Sequence, residues 1–188
     1  MLAKLSPEIP TGAAWRYEPK WDGFRSIIFR HGADVELGSR NAKPLTRYFP
    51  EVVEAVKASF PLDAVVDGEL VIVGEGGKVD FDLLSLRVHP AQSRVERLSK
   101  ELPALFVAFD LLAIDGEDIT SRPFDERRAR LEAAPGATGP GIYVPPIPSD
   151  PAKARDVLHR CDGPGLPGGP ARRDDRLHSP GERPPVTP

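Results

Sequence analysis

The sequence predicts an α+β fold, with antiparallel sheets and helices packed outside them. Three observations predict it. The chain opens as strand, turn, strand, with His31-Gly32-Ala33-Asp34 at the turn, and not as a βαβ unit. A clear amphipathic helix follows, Phe49 to Phe60. Two further strand-like stretches, Ala64 to Val73 and Leu105 to Ile114, are separated by short helical segments. The 188 residues suggest one domain, long enough to bury a core.

Taken in order, Met1 to Ala14 is a loop-like lead-in, broken by Pro7, Pro10 and Gly12. Trp15 to Asp22 and Phe24 to Arg30 read as strands, and Val35 to Leu37 returns as a third. In the helix, Pro50 suits the first turn, and Val52, Val53, Val56 and Phe60 recur at helical spacing between Glu51, Glu54 and Lys57. Along Ala64 to Val73 the faces differ. Val66, Gly68, Leu70 and Ile72 point one way; Val65, Asp67, Glu69 and Val71 point the other. Gly74 to Lys78 is a hairpin turn without a phosphate-loop pattern. Asp80 to Leu86 and Ser93 to Leu98 read as short helices. His89 has no second His or Cys at metal spacing and reads as a surface or hydrogen-bonded histidine. Leu105 to Ile114 is apolar enough to be a buried strand. Arg122 to Ala134 reads as a charged helix, with Arg127, Arg128 and Arg130 on a solvated face in preference to a DNA-facing one. A strand broken by Pro145 and Pro146 and a helix from Asp150 to Arg160 complete the ordered part.

Composition excludes several classes. A net charge of −3 gives no global basic field, so any nucleic-acid contact must come from local Arg and Lys clusters. One cysteine, Cys161, excludes an internal disulfide and fits a reducing cytosol. No apolar run approaches membrane-spanning length, and there is no secretory leader pattern, so a cytoplasmic protein is expected.

The chemistry concentrates in Glu18-Pro19-Lys20-Trp21-Asp22-Gly23-Phe24-Arg25. A lysine in apolar surroundings can have its ammonium form disfavoured, which frees the amine as a nucleophile. In an extended backbone Asp22 would share a face with Lys20. Gly23 permits a tight turn or a close backbone approach, and Arg25 suits phosphate or ribose oxygens. By itself, Lys-x-Asp-Gly fits an edge-strand lysine paired with a neighbouring aspartate better than a catalytic one. Asp67 and Glu69, two carboxylates on one face, suit a ribose hydroxyl or a divalent metal, or simply a solvated face. Phe109 suits base stacking or a core position.

Lys20-Trp21-Asp22-Gly23-Phe24-Arg25 resembles motif I, Lys-x-Asp-Gly-x-Arg, of the covalent nucleotidyltransferases: ATP-dependent DNA ligases, RNA ligases and mRNA-capping enzymes. Ser39-Arg40-Asn41 resembles motif Ia, Asp67-Gly68-Glu69 motif III, and Phe106-Val107-Ala108-Phe109-Asp110 motif IIIa. The wording from Tyr17 to Arg25 is most similar to bacterial ATP-dependent DNA ligases. The resemblance covers residues 1–160 and implies an ATP-grasp-like adenylation (nucleotidyltransferase) domain. It implies that Lys20 takes AMP from ATP as a phosphoramide and passes it to the 5′-phosphate of nicked double-stranded DNA. It further implies that Glu18 reads the adenine amino group, Arg25 and Glu69 the ribose region, Arg40 a nucleotide or DNA phosphate, and Phe109 the adenine face. Mg²⁺ or Mn²⁺ is implied as cofactor, with Glu69 and Asp67 as candidate ligands, and a monomer is expected. The rival readings are an RNA ligase or capping-type enzyme, and a non-catalytic nucleotide-binding remnant.

Residues 161–188 depart from the family pattern. Pro167 stands where motif IV has its acid, Gly169 and Pro170 replace β-formers, and Arg172 replaces a lysine. Pro180-Gly181-Glu182-Arg183 is followed by no motif V lysine, and no OB-fold domain follows. This tail is expected to be degenerate and disordered, and the chain truncated and impaired.

Overall fold

A computed structural model describes residues 4–5, 15–39, 41, 43–89, 91–134, 139–148, 171–173 and 185–186. They fall into two units. One comprises Met1–Trp21, Thr120–Glu126 and Pro145–Pro188; the other comprises Asp22–Ile119 and Arg127–Val144.

The second unit is built on a six-stranded sheet. Its strands are β3 (Phe24–His31), β4 (Asp34–Ser39), β5 (Asp63–Val71), β6 (Leu105–Ile114), β7 (Glu117–Asp118) and β8 (Ile142–Tyr143). The order is β4-β3-β5-β6-β7, and every pair along it is antiparallel. Short β8 joins β6 in parallel. Pairing puts Ile28 opposite both Leu37 and Val66, which fixes which side chains share a face. That face is closed by α1 (Pro50–Ser59), whose Val52 and Val56 are fully buried with Ile28, Leu37, Val66, Leu70 and Phe106 in one cluster.

Local chemistry explains the elements. Pro50 opens α1 at a position where a missing N–H costs nothing. Its last carbonyls are closed from β3, where Arg30 Nη1 donates to the carbonyls of Val56 (3.0 Å), Lys57 (2.8 Å) and Phe60. Asp80 caps α2 (Phe81–Ser85) by accepting from Leu83 N at 2.9 Å. Arg87, with none of its surface exposed, ties α1 to the backbone on either side of it. It ion-pairs Glu51 at 2.6 Å and donates to the carbonyls of Tyr48 and Leu102. The remaining helices are α3 (Gln92–Glu101) and α4 (Phe124–Ala133), the latter contributing its residues from Arg127 onward to this unit.

In the first unit, β2 (Trp15–Tyr17) pairs antiparallel with β9 (Ala171–Arg173), and β1 (Lys4–Leu5) pairs in parallel with β10 (Pro185–Val186). Tyr17 N donates to Pro148 O at 3.1 Å, and Arg16 ion-pairs Asp125.

The α+β class and its antiparallel sheet are as the sequence predicts. Three details differ. The strand expected over Trp15 to Asp22 ends at Tyr17, so Lys20 and Asp22 do not alternate on a strand. Arg127 and Arg128, expected in solvent, are 1% and 5% exposed. Within 161–188, where disorder is expected, the described residues form β9 and β10. The helix expected over Asp150 to Arg160 lies outside the described residues.

Candidate active site

The sheet face opposite α1 carries the polar residues. Arg25 stands opposite Glu69 in register, and Ile27 opposite Asp67. Arg25 grips Asp67 with two bonds, Nε to Oδ1 at 2.8 Å and Nη2 to Oδ2. Asp67 is 1% exposed and Arg25 about a quarter exposed, so the guanidinium bridges a buried carboxylate and open space. A bidentate arginine of this kind is fixed in direction as well as in charge.

One residue pair along, Gly23 N donates to Glu69 Oε1 at 3.0 Å. Gly23 runs so close over β5 that a Cβ there would overlap the Leu70 carbonyl oxygen and the Val71 side chain. Gly68 is constrained from the other direction. A Cβ on it would overlap the Val107 carbonyl oxygen and the Phe106 ring. Both glycines therefore serve close approach. Gly23 brings the end of the lysine motif onto the carboxylate strand, and Gly68 lets β5 lie flat on β6 between Asp67 and Glu69.

Phe109 is buried, 4% exposed, yet stands apart from the cluster under α1. It is the additional residue of a β-bulge. Asp67 pairs with Asp110 and Gly68 with Ala108, so the register steps past Phe109. Asp110 is wholly buried and held by Arg127, Nε to Oδ1 at 2.9 Å and Nη2 to Oδ2 at 2.7 Å.

Arg25, Asp67, Glu69 and Phe109 thus belong to one unit, with Arg25, Asp67 and Glu69 on neighbouring strands. Lys20 and Glu18 belong to the other. Lys20 is solvent-exposed, unlike the apolar setting its sequence neighbours suggest, and Glu18 is buried. Arg40 lies outside the described residues. His89 Nδ1 accepts from Ala91 N, as a hydrogen-bonded histidine should. An open groove at the far end of the sheet, lined by Phe29, Asp34, Glu36, Asp63, Val65 and Asp118, contains none of the expected site residues. Arg127 and Arg128 are missed by sequence reasoning. Their signal was the spacing Phe124, Arg127, Arg128, Leu131, Ala134, a helical stripe with arginines at two buried places.

The donor set also bears on the implied metal. Asp67 is buried and both its oxygens are engaged by Arg25, so it does not fit a metal ligand here. Among the described residues no group of three or more His, Cys, Asp or Glu could hold an ion. A single carboxylate, Glu69, still fits Mg²⁺, which commonly takes one or two carboxylates and fills its shell with phosphate oxygens and water.

A family model described as ATP dependent DNA ligase domain matches residues 1–142. The chain belongs to this family. Among its curated relatives, DNA ligase C2 of Mycolicibacterium smegmatis is 49% identical over 97% of this chain and 51% of its own length. DNA ligase C of Mycobacterium tuberculosis is also 49% identical, over the same shares. Among solved structures, a mycobacterial DNA ligase D complexed with ATP and MES superposes with a TM-score of 0.70 at 25% identity, covering 99% of this chain and 60% of that one. The chain spans about half the length of the curated relatives it matches. Its antiparallel sheet with flanking helices is the fold of the ligase nucleotidyltransferase domain. Among the described residues no helix is long and apolar enough to cross a membrane.

Proposed function

We propose that the chain forms the adenylating part of an ATP-dependent DNA ligase. Lys20, as the free amine, attacks the α-phosphorus of ATP; a P–N bond forms, the bond to pyrophosphate breaks, and the amine proton passes to solvent. The AMP then moves to a DNA 5′-phosphate, and a neighbouring 3′-hydroxyl displaces it to seal a nick. Glu18 reads the adenine amino group, Arg25 and Glu69 the ribose, Phe109 the ring face and Arg40 a phosphate. The observation that carries this reading is the coupling of Gly23 to Glu69 and of Arg25 to Asp67. It supports a lysine motif and a carboxylate strand built to act on one nucleotide. Lys20 precedes Gly23 by three residues, so the extended chain alone limits its Cα to about 11 Å from that glycine. When bound, Mg²⁺ would neutralise phosphate charge beside Glu69, and Asp67 would act through Arg25. The domain works in the cytoplasm on nicked duplex, as a monomer.

A second reading, nucleotide binding without sealing, is favoured by one observation: Pro167, Gly169, Pro170 and Arg172 replace the expected motif IV residues. Loss of one well-placed charge-stabilising group commonly costs about a hundredfold to a thousandfold in rate. Intact-mass measurement after incubation with ATP and Mg²⁺ tests the first step. A single AMP adduct, absent in Lys20→Ala and retained in Lys4→Ala, is expected. An adduct persisting in Lys20→Ala rejects the nucleophile, and labelling by GTP alone rejects the substrate. Sealing of nicked duplex then separates the two readings.

A further inference from the structure

We propose that Arg128, with its neighbour Arg127, is a positioning residue that clamps the bulge of β6 and so sets where Phe109 meets the purine ring. The inference rests on the adenylation reading and on Phe109 as the base-stacking residue.

The clamp reaches β6 from α4. β8 covers that edge only at Phe106 and Val107, and β7 only at Ala113 and Ile114. Between them, backbone carbonyls of β6 accept from groups outside the ladder. Leu112 O is met by Ile119 N at 2.9 Å. The carbonyls of Phe109 and Ala108 are met by Arg128 Nη1, at 3.1 and 3.4 Å. Arg128 Nε is itself steadied by Glu132 Oε1 at 2.7 Å. Arg127 takes hold one residue on, at the buried Asp110. Residues 108 to 110, the bulge and both its shoulders, are therefore gripped from α4.

Packing alone does not call for this arrangement. A buried ion pair is commonly replaceable by apolar side chains of similar volume without loss of stability. Bulges re-aim side chains and gather beside active sites, and here the re-aimed residue is Phe109. A guanidinium across two successive carbonyls fixes the peptide that carries its ring.

The test compares a nucleotide with a probe that lacks the base. Calorimetric titration of the full chain with ATP and with inorganic tripolyphosphate gives the base-dependent part of the affinity as a ratio of the two Kd values. Stacking on an aromatic ring commonly contributes about tenfold in affinity. Arg128→Met is expected to lower the ratio by about that factor while leaving tripolyphosphate binding unchanged. Arg128→Lys, which keeps a donor, should recover part of it. Phe109→Ala should lower the ratio as far, and Phe109→Ala/Arg128→Met no further, since both act through one ring. Equal weakening of both ligands, an unchanged ratio in folded Arg128→Met, or additive losses in the double variant overturns the inference. Where Arg128→Met does not fold, an unchanged ratio in Arg128→Lys overturns it. A wild-type ratio of one removes the base contact and overturns it as well, whereas a wild type that binds neither ligand overturns the adenylation reading beneath it.

Discussion

On one face of the six-stranded sheet, Ile28, Val66, Leu70 and Phe106 are buried beneath α1; on the other, the same strands present Arg25, Asp67 and Glu69. Both faces use β5, whose alternate residues go to opposite sides. The apolar face is held by area removed from water, which has no direction and tolerates rearrangement of its parts. The polar face is held by bonds that work only at fixed angles. Burying Asp67 also carries a desolvation cost that its pairing with Arg25 only roughly offsets. On the proposed function, the difference separates stability from function within one sheet. Substitutions on the apolar face should unfold the protein, and those on the polar face should disarm it.

The largest stability effect belongs to the apolar face. Phe106 is fully buried and its ring lies against Gly68. Phe106→Ala is expected to cost about 3–5 kcal/mol, the range for emptying an aromatic site in a core. Denaturant unfolding would show it as a lower midpoint at an unchanged slope. A loss below about 1 kcal/mol would mean that the face collapses around the gap, and the contrast between faces would weaken.

Removing one partner of the polar pair comes next. Asp67→Ala leaves the Arg25 guanidinium without its buried carboxylate. Water reaches Arg25, so the expected loss is about 1–3 kcal/mol, below that of a fully buried pair. ATP affinity should fall as well, because the guanidinium loses the two bonds that aim it. Unchanged affinity in the folded variant would show that Arg25 needs no aiming.

The two faces were not equally legible in the sequence. Alternation along Val66, Gly68 and Leu70 identifies the core side of β5, and Val52 and Val56 give α1, because burial follows a period that a sequence displays. Arg25 with Asp67 is forty-two residues apart in sequence, and Gly23 with Glu69 forty-six. Such bonds depend on strand register and on bulges, which no local pattern encodes, so Asp67 read as a metal candidate rather than as the anchor of Arg25. Charge misled in a second way at α4. Arginine normally marks a solvated face, but Arg127 and Arg128 occupy stripe positions between Phe124 and Leu131 and meet acceptors deep in the fold. The exposed Lys20 is the opposite case, since apolar neighbours in sequence did not bring burial.

The smallest expected change in stability is the most informative. Arg25→Met/Asp67→Leu replaces both members of the pair with apolar side chains of similar reach. Neither charge is left alone, and the desolvation cost of Asp67 disappears together with its compensating bonds. Stability should then return to within about 1 kcal/mol of wild type, or rise above it. The pair would show a coupling energy opposite to the loss in Asp67→Ala, measurable as a double-mutant cycle with Arg25→Met. ATP binding should not return, because the guanidinium proposed to read the ribose is gone. A double variant as stable as wild type yet unable to bind nucleotide would establish that the pair serves geometry. One as unstable as Asp67→Ala would place the pair among the supports of the fold and erase the distinction between the two faces.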